Sequence, residues 1–499
     1  MVSQVRSAVL IGIEAVPLTV EVELASGGIP RFDIIGLGDT AVKESRHRVQ
    51  AALRSAGLWE HRAPVMVNLA PADLRKDGAA LDLAIALALL HAAGRLELPD
   101  PSRFLVAGEL GLQGDIRPIR GALAFATLAQ EAGYDTLVLP PDNHHEAAAL
   151  NEIRVLSSAT LRELVSLLSG RGPDRSPPPS APAPRAVDSM PDIEDVCGHG
   201  MPRRALEIAA AGGHNLMLVG PPGCGKTMLA RRLPGLLPPM TQPEAVEVTK
   251  VWSAAGLTHR VGLIRERPFR APHPSVSQAG LIGGGSTLKP GEVSLAHRGV
   301  LFLDEIPELP RRVLEALRQP LEDRVVTLAR ARHSIRFPAS FLLVAAMNPC
   351  PCGWLDHPKR RCVCSVDRIQ RYQQRLSGPL LDRFDLLIHV RPVPPADIFK
   401  RASRSEGSSE VRTRVATARR RAHARQGCIN AELSGRRWDA LGLGSEGQRC
   451  LTRAADSLAL SARSIDRVRR VARSIADLAG STQIENPHVL EALQFRGTL

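Results

Sequence analysis

Two kinds of hydrophobic pattern follow one another along the chain. Near the N-terminus, apolar and polar residues alternate over Leu18-Thr-Val-Glu-Val-Glu-Leu24, the period of a half-buried strand. The run Gly78–Ala93 is apolar over a length that suits a helix. Residues 1–170 therefore read as a domain of mixed α and β structure. Further on, short apolar runs at Asn215–Val219, Val300–Leu303 and Phe341–Ala346 stand between helical segments. Runs with no polar face predict buried parallel strands, so 188–400 reads as a three-layer α/β domain. Between these regions lies Arg171-Gly-Pro-Asp-Arg-Ser-Pro-Pro-Pro-Ser-Ala-Pro-Ala-Pro184, whose prolines predict an extended linker over 171–187. A polar stretch, Arg401–Glu410, opens an arginine-rich region with helical periodicity and no strand-like run, and 401–499 reads as a helical domain. The fold class is multidomain α/β, without internal repeats.

Composition supports globular domains: of 499 residues, 44% are hydrophobic and 23% charged. Aromatic residues are only 3%, which argues against reading single strands by stacking bases on aromatic platforms. The net charge of +13 is unevenly placed. Residues 1–170 hold 15 basic and 20 acidic side chains, a net of −5, and residues 401–499 hold 18 arginines and 10 acids, a net of +8. The remainder carries +10 by difference, so the last two-thirds is the part suited to meet phosphates. The longest apolar stretch contains Asp82 and His91 and is too short to span a bilayer. The run Ser7–Ile13 is cut by Glu14 and has no small-residue cleavage site behind it. The expectation is a cytoplasmic protein with no membrane partner.

The chemistry begins at Gly220-Pro-Pro-Gly-Cys-Gly-Lys-Thr227, a G-x-x-x-x-G-K-[ST] run between a strand and a helix, which is the context of a P-loop. Glycines let backbone amides curl around phosphates, and the helix N-terminus adds partial positive charge. Gly220, Pro221, Pro222, Gly223, Cys224, Gly225, Lys226, Thr227 and Met228 are the candidate ATP-binding residues. Lys226 would neutralise β/γ oxygens and the Thr227 hydroxyl would ligate magnesium. In Gly299-Val-Leu-Phe-Leu-Asp-Glu305 an apolar strand ends in two carboxylates, Asp304 for the metal and Glu305 to polarise the attacking water. A third strand, Phe341-Leu-Leu-Val-Ala-Ala-Met-Asn348, ends in the polar Asn348, a candidate site residue whose alternative is an ordinary Asn turn before Pro349.

Arg267-Pro-Phe-Arg-Ala-Pro-His-Pro274, Ile282-Gly-Gly-Gly285, Lys289-Pro-Gly-Glu-Val-Ser-Leu-Ala-His297, Met347-Asn-Pro-Cys-Pro-Cys-Gly353 and Ser377-Gly-Pro-Leu-Leu-Asp-Arg-Phe-Asp385 come in that order. With them the chain resembles the magnesium-chelatase-like AAA+ ATPases of the YifB/ComM family over nearly its whole length. One departure is Pro274, where the family commonly has a second His. The resemblance implies a ring, a homohexamer, with the ATP site between subunits. It also implies a DNA helicase that drives branch migration of recombination intermediates during natural transformation, acting on branched or single-stranded DNA without sequence preference. Arg383 then matches the arginine finger acting in trans; the alternative is a salt bridge to Asp382 or Asp385. Asn348 matches sensor 1. Arg463 is the best match for sensor 2 on the helical lid (401–499), with Arg467 the runner-up. Gly280–Lys289 and Glu322–Arg336, the latter with Arg324, Arg330, Arg332 and Arg336, match the two inserts through which such rings meet DNA. A pore loop that tracks a phosphate backbone needs basic residues and little base-specific chemistry; the bland alternative is a solvated basic hairpin.

Cys350-Pro-Cys352 and Cys362-Val-Cys364 form C-x-C-x9-C-x-C. Four thiolates can hold a structural zinc and pin a loop too small to hold itself; unligated reduced thiols or a redox pair are the alternatives. Cys197, Cys224, Cys428 and Cys450 read as isolated thiols. In the N-terminal domain, Pro71-Ala-Asp-Leu-Arg-Lys-Asp-Gly78 and Gly108-Glu-Leu-Gly-Leu-Gln-Gly-Asp-Ile-Arg-Pro-Ile119 resemble the proteolytic domain of Lon. Ala80 stands in the Ser position and Leu123 in the Lys position, and neither can attack an amide or take up a proton. The expectation is a Lon-like fold without peptidase chemistry. The competing functional class is a chelatase-like or chaperone-like AAA+ motor that remodels a protein partner. Strongly salt-dependent binding to forked DNA separates the two.

Overall fold

The computed structural model of the chain describes residues 2–497 apart from 26, 28, 60–62, 77, 99, 151–152, 175–189, 259–261, 286–287, 331–332, 395–405 and 434–440. Residues 175–187 of the expected linker, 401–405 of the polar stretch and Arg332 lie outside the described residues.

In the N-terminal part, β1 (Val2–Ile11) folds back through Gly12-Ile13 onto β2 (Glu14–Leu24). With β3 (Phe32–Ile35), β4 (Val65–Ala70), β5 (Phe104–Val106), β6 (Thr136–Val138) and β7 (Arg154–Leu156) they make a mixed sheet ordered β3-β4-β2-β1-β5-β6-β7. The expected alternation is realised: Leu18, Val20 and Val22 are buried and Glu23 is exposed. Helices α1 (Thr40–Ser55), α2 (Asp82–Ala92), α3 (Ala122–Glu131), α4 (Pro141–Ala148) and α5 (Leu161–Leu168) cover the strands. The apolar run is α2, buried throughout except at His91. Its two polar residues are satisfied internally: Arg48 of α1 donates to both oxygens of Asp82 at 2.7 and 3.1 Å, and His91 Nδ1 meets Ser3 Oγ at 2.7 Å.

The central part is built from α6 (Gly200–Gly212), β8 (Leu216–Val219), α7 (Lys226–Leu236), α8 (Gln242–Ala255), β9 (Phe269–Arg270), β10 (Val300–Leu303), the hairpin β11 (Val325–Arg330) and β12 (His333–Pro338), β13 (Leu342–Met347) and β14 (Leu386–His389). The sheet order is β9-β10-β13-β8-β14, and every neighbouring pair is parallel. The absence of alternation in the sequence has its reason here. Leu216, Leu218, Phe302, Val344 and Ala346 pack on one face, while Met217, Val219, Leu303, Leu343 and Ala345 pack in a separate cluster on the other.

The C-terminal part holds α9 (Ser408–Gln426), α10 (Ser445–Ser457), α11 (Ala462–Ala479) and α12 (Asn486–Gln494). Val415, Val471 and Phe495 join the same core cluster as Leu216 and Phe302, so these helices close one face of the central sheet. Arg473, fully buried, pairs with Asp477 at 3.0 Å. Asp477 also accepts from Arg425 and Asn430.

Contacts also join the N-terminal and central parts. Ile13, in the β1–β2 turn, packs into the cluster that holds Phe337 of the β11–β12 hairpin. Glu146 on α4 accepts from the Leu123 backbone N–H at 2.8 Å and from Thr258 Oγ1, beyond α8, at 2.7 Å.

Candidate functional site

At the end of β8 the chain turns through Gly220–Gly225 and enters α7 at Lys226. Gly223 (φ 76°) and Gly225 (φ 91°) take left-handed conformations that a side chain would strain. Lys226 Nζ folds across the turn, donating to the carbonyls of Gly220 (2.7 Å) and Pro221 (3.0 Å) and to Asn348 Oδ1 (3.1 Å). Burial pulls the Lys226 pKa down, against the opposing charges of Asp304 and Glu305. Thr227 Oγ1 donates to Asp304 Oδ2 at 2.8 Å, and Asp304 Oδ1 accepts from the Glu305 backbone N–H at 3.0 Å. Glu305 itself is exposed, in a left-handed conformation (φ 47°), which is uncommon for a non-glycine residue. Lys226, Thr227, Asp304, Glu305 and Asn348 are thus brought together where β8, β10 and β13 end. That is the edge of a parallel sheet where ligands bind.

Beside the P-loop opens a cleft of about 460 Å³, lined by Gly198–Pro202, Leu387–His389 and Arg391–Pro394. His199 marks its junction with the P-loop: its Nε2 lies 3.5 Å from where a Cβ on Gly225 would stand. Burial lowers the His199 pKa, so the imidazole is neutral at pH 7. Sequence reasoning missed this cleft. Its available signals were Gly198-His-Gly200 just ahead of α6 and the proline pair Pro392 and Pro394 after β14.

Arg383 stands at the other edge of the sheet. It precedes β14, whose Leu386 lies level with Leu216 and His389 with Val219, so it faces away from the P-loop of its own chain. It pairs with Glu322, not with Asp382 or Asp385, the partners its sequence neighbourhood offered. Asp382 is taken by Arg467 at 2.6 Å, with Arg463 at 3.8 Å, and Asp385 by His214 at 2.9 Å. Burial and the like charges of Arg463, Arg318, Arg467 and Arg470 hold the Arg383 pKa below its ordinary value. Arg463 is 73% exposed and Arg467 14%, and through Asp382 both sit with Arg383. A polar recess of about 290 Å³ adjoins them, lined in part by Glu322, Arg324, Arg383 and Arg470. The β11–β12 hairpin spans most of the expected Glu322–Arg336 insert, and Arg324 at its base pairs with Glu432. The glycine-rich insert is a short helix, Gln278–Ile282, and a strand pair, Gly283-Gly284 with Lys289-Pro290.

Cys350, Cys352, Cys362 and Cys364 come together: their four sulfurs all lie within 4.8 Å of one another. Sulfur separations of 3.4 Å (350–352) and 3.6 Å (350–362 and 352–362) are near the ~3.8 Å edge of a tetrahedron with Zn–S bonds of ~2.3 Å. The donor set fits zinc. In the N-terminal part, Leu123 is fully buried against Ala245 and Leu263 of the central part, so an apolar contact occupies the position where the Lon resemblance would need a lysine.

A family described as magnesium chelatase, subunit ChlI, matches residues 192–398; subunit ChlI of Mg-chelatase matches 20–143, and its C-terminal region matches 405–496. The chain is 41% identical over 495 residues to the uncharacterized protein YifB of Escherichia coli K12, covering 99% of this chain and 97% of that one. It is 41% identical over 498 residues to the competence protein ComM of Haemophilus influenzae, again covering 99% and 97%. A shorter match, 30% identical over 160 residues and 31% of each chain, is to the DNA repair protein RadA of Mycobacterium tuberculosis.

Proposed function

The chain belongs to the YifB/ComM family of magnesium-chelatase-like AAA+ ATPases, and on that premise we propose that it is an ATP-driven, ring-forming DNA motor that promotes branch migration of recombination intermediates. The observation that carries the reading is the meeting of Lys226, Thr227, Asp304, Glu305 and Asn348 at one sheet edge. In this reading Lys226 neutralises the β/γ-phosphate oxygens of ATP, and Thr227 and Asp304 hold magnesium, which supplies Lewis-acid polarisation of the phosphates when bound. Glu305, exposed at the strand end, orients the attacking water, and Asn348 holds Lys226 in register and steadies that water. The cleft at His199 takes the base; a neutral imidazole and proline rings suit a flat, weakly polar ligand.

The finger role of Arg383 goes with a heterologous ring, in which one chain's sheet edge meets the next chain's nucleotide. Arg463 and Arg467 sit on that same edge, so in this reading they also serve the neighbour. The full-length likeness to a competence protein and the partial likeness to a DNA repair protein support a DNA-related role. The arginine-bearing hairpin and the positive charge of the last two-thirds suit a phosphate backbone. The proposed division is 1–170, a Lon-like domain without its dyad, 188–400, the motor core, and 401–499, the lid. Among the described residues no helix is long and apolar enough to cross a membrane.

The test is ATP hydrolysis by the purified protein with and without a four-way DNA junction, beside Lys226→Ala and Glu305→Gln. Stimulation by the junction that disappears in both variants is expected. Hydrolysis indifferent to every DNA form would refute the DNA motor and leave a remodeller of protein partners.

A further inference from the structure

We propose that zinc held by Cys350, Cys352, Cys362 and Cys364 is a working part of the nucleotide site: it fixes the loop that roofs the P-loop at Pro222 and anchors Asn348. The coupling half of this inference rests on the proposed nucleotide site; the metal half stands on the sulfur geometry alone.

The loop needs a cross-link. Between Cys350 and Ser365 only Cys350 and Gly353 are buried, and Val363 is 79% exposed. Its internal apolar packing is Trp354, with His357 at 5.0 Å edge-on and the Arg360 guanidinium 4.2 Å above the indole. That contact holds the middle of the loop and leaves its second half, Arg361–Ser365, without a core of its own. Thiolates at both ends, drawn onto one soft cation, supply the missing constraint. Four sulfur ligands leave no open position, so the metal's part is structural.

The same loop lies against the P-loop. Cys350 is two residues beyond Asn348, whose Oδ1 accepts from Lys226. The chain then turns back, with the Gly353 N–H donating to the Cys350 carbonyl at 2.9 Å. At that turn Gly353 (φ 80°) is pressed on the P-loop: a Cβ there would stand 2.6 Å from Pro222 Cδ and 3.9 Å from Asn348 Cγ. Two of the four ligands, Cys350 and Cys352, therefore lie in the short stretch between Asn348 and Gly353, the residue pressed on the phosphate-binding turn. Fixing these ligands fixes the distance between the two halves of the nucleotide site. By linkage, metal and nucleotide must then strengthen one another by the same factor.

The experiment uses the full chain purified under reducing conditions. Zinc content is measured by atomic emission and zinc loss is followed with a chromogenic chelator, with and without a non-hydrolysable ATP analogue and magnesium. Affinity for a fluorescent ATP analogue is measured for the wild type, Cys362→Ser, Gly353→Ala and Lys226→Ala, each checked for intact folding by its melting curve. One zinc per chain is expected, with loss to the chelator slowed by nucleotide. Cys362→Ser should lose zinc and bind nucleotide about tenfold or more weakly, within the range typical of coupling between linked sites. Gly353→Ala should keep zinc and still bind nucleotide more weakly, because its Cβ displaces Pro222. A protein that neither retains nor takes up zinc would overturn the metal site. Stoichiometric zinc whose removal leaves nucleotide affinity unchanged, while Lys226→Ala weakens it, would overturn the coupling and leave the nucleotide reading standing. Unchanged binding by Lys226→Ala would overturn the nucleotide reading, and the coupling with it.

Discussion

If Arg383 serves the nucleotide of a neighbouring chain, two inactive variants should rescue one another in mixed rings. From Leu386 to the level of Gly220 is four residues along β14, about 13 Å at ~3.3 Å per residue, and Arg383 lies further back still. A guanidinium cannot return over that distance to its own P-loop. Arg383→Ala alone should lower turnover by about 10³–10⁵, the range for removal of a finger. Glu305→Gln should lower it by about 10²–10⁴ while leaving ATP bound and the subunit contact formed. In a random equal mixture an interface works only when a chain with intact Glu305 adjoins one with intact Arg383 on the finger side, so about one interface in four recovers. Steady-state hydrolysis of the mixture, measured at constant total protein with co-assembly verified by differently tagged chains, should reach about a quarter of the wild-type rate. Verified co-assembly with no recovery at any ratio would refute the trans assignment and the geometric reasoning behind it.

Other perturbations probe the buried network, the domain contact and the hairpin. Asp477→Ala strands Arg473, which is fully buried, and removes the partner of Arg425, so unfolding free energy should fall by about 3–5 kcal/mol in urea titrations; a change below about 1 kcal/mol would show that the network carries no weight there. Burial raises the Glu146 pKa from its ordinary 4.5, against the hydrogen bonds from Thr258 and Leu123 that favour the carboxylate. A raised folded pKa means that the folded chain holds the proton longer than the unfolded one, so this group's contribution to stability is lost as pH rises from 4.5 through the raised value. Glu146→Gln should flatten that part of the profile of melting temperature against pH, and parallel profiles for variant and wild type would refute the assignment. Finally, Arg336→Ala on the hairpin should weaken binding of all DNA sequences alike and reduce the salt slope by about 1; a sequence-selective loss would point to base contacts instead.

The meeting of the proposed phosphate-site residues was legible because its parts are local. A buried strand shows as an unbroken apolar run, and the residues just past that run sit at the strand's end. Lys226, Asp304 and Asn348 could therefore be placed without knowing the strand order. Cys350–Cys364 were legible for a related reason: fifteen positions are few enough for the pairs to meet whatever the rest does. A hairpin over Glu322–Arg336 was also expected, and Val325–Pro338 forms one, though not that Ile13, more than three hundred positions earlier, would pack beside it. What the sequence could not show is which chain ends share an edge and which polar groups meet. Arg383 had two carboxylates as near neighbours and took Glu322, because Arg467 and His214 occupy the other two. The His199 cleft exists because β14 lies beside β8, a pairing between segments some 170 residues apart. Neighbouring residues and backbone geometry were enough to set the strands, the glycine-rich turn before α7 and the spacing of the four cysteines. The pole on which each arginine stands, its partner, and the contact of the cysteine loop with the P-loop came only with folding. Those depend on strand order and on competition for buried partners, which the packed chain alone resolves.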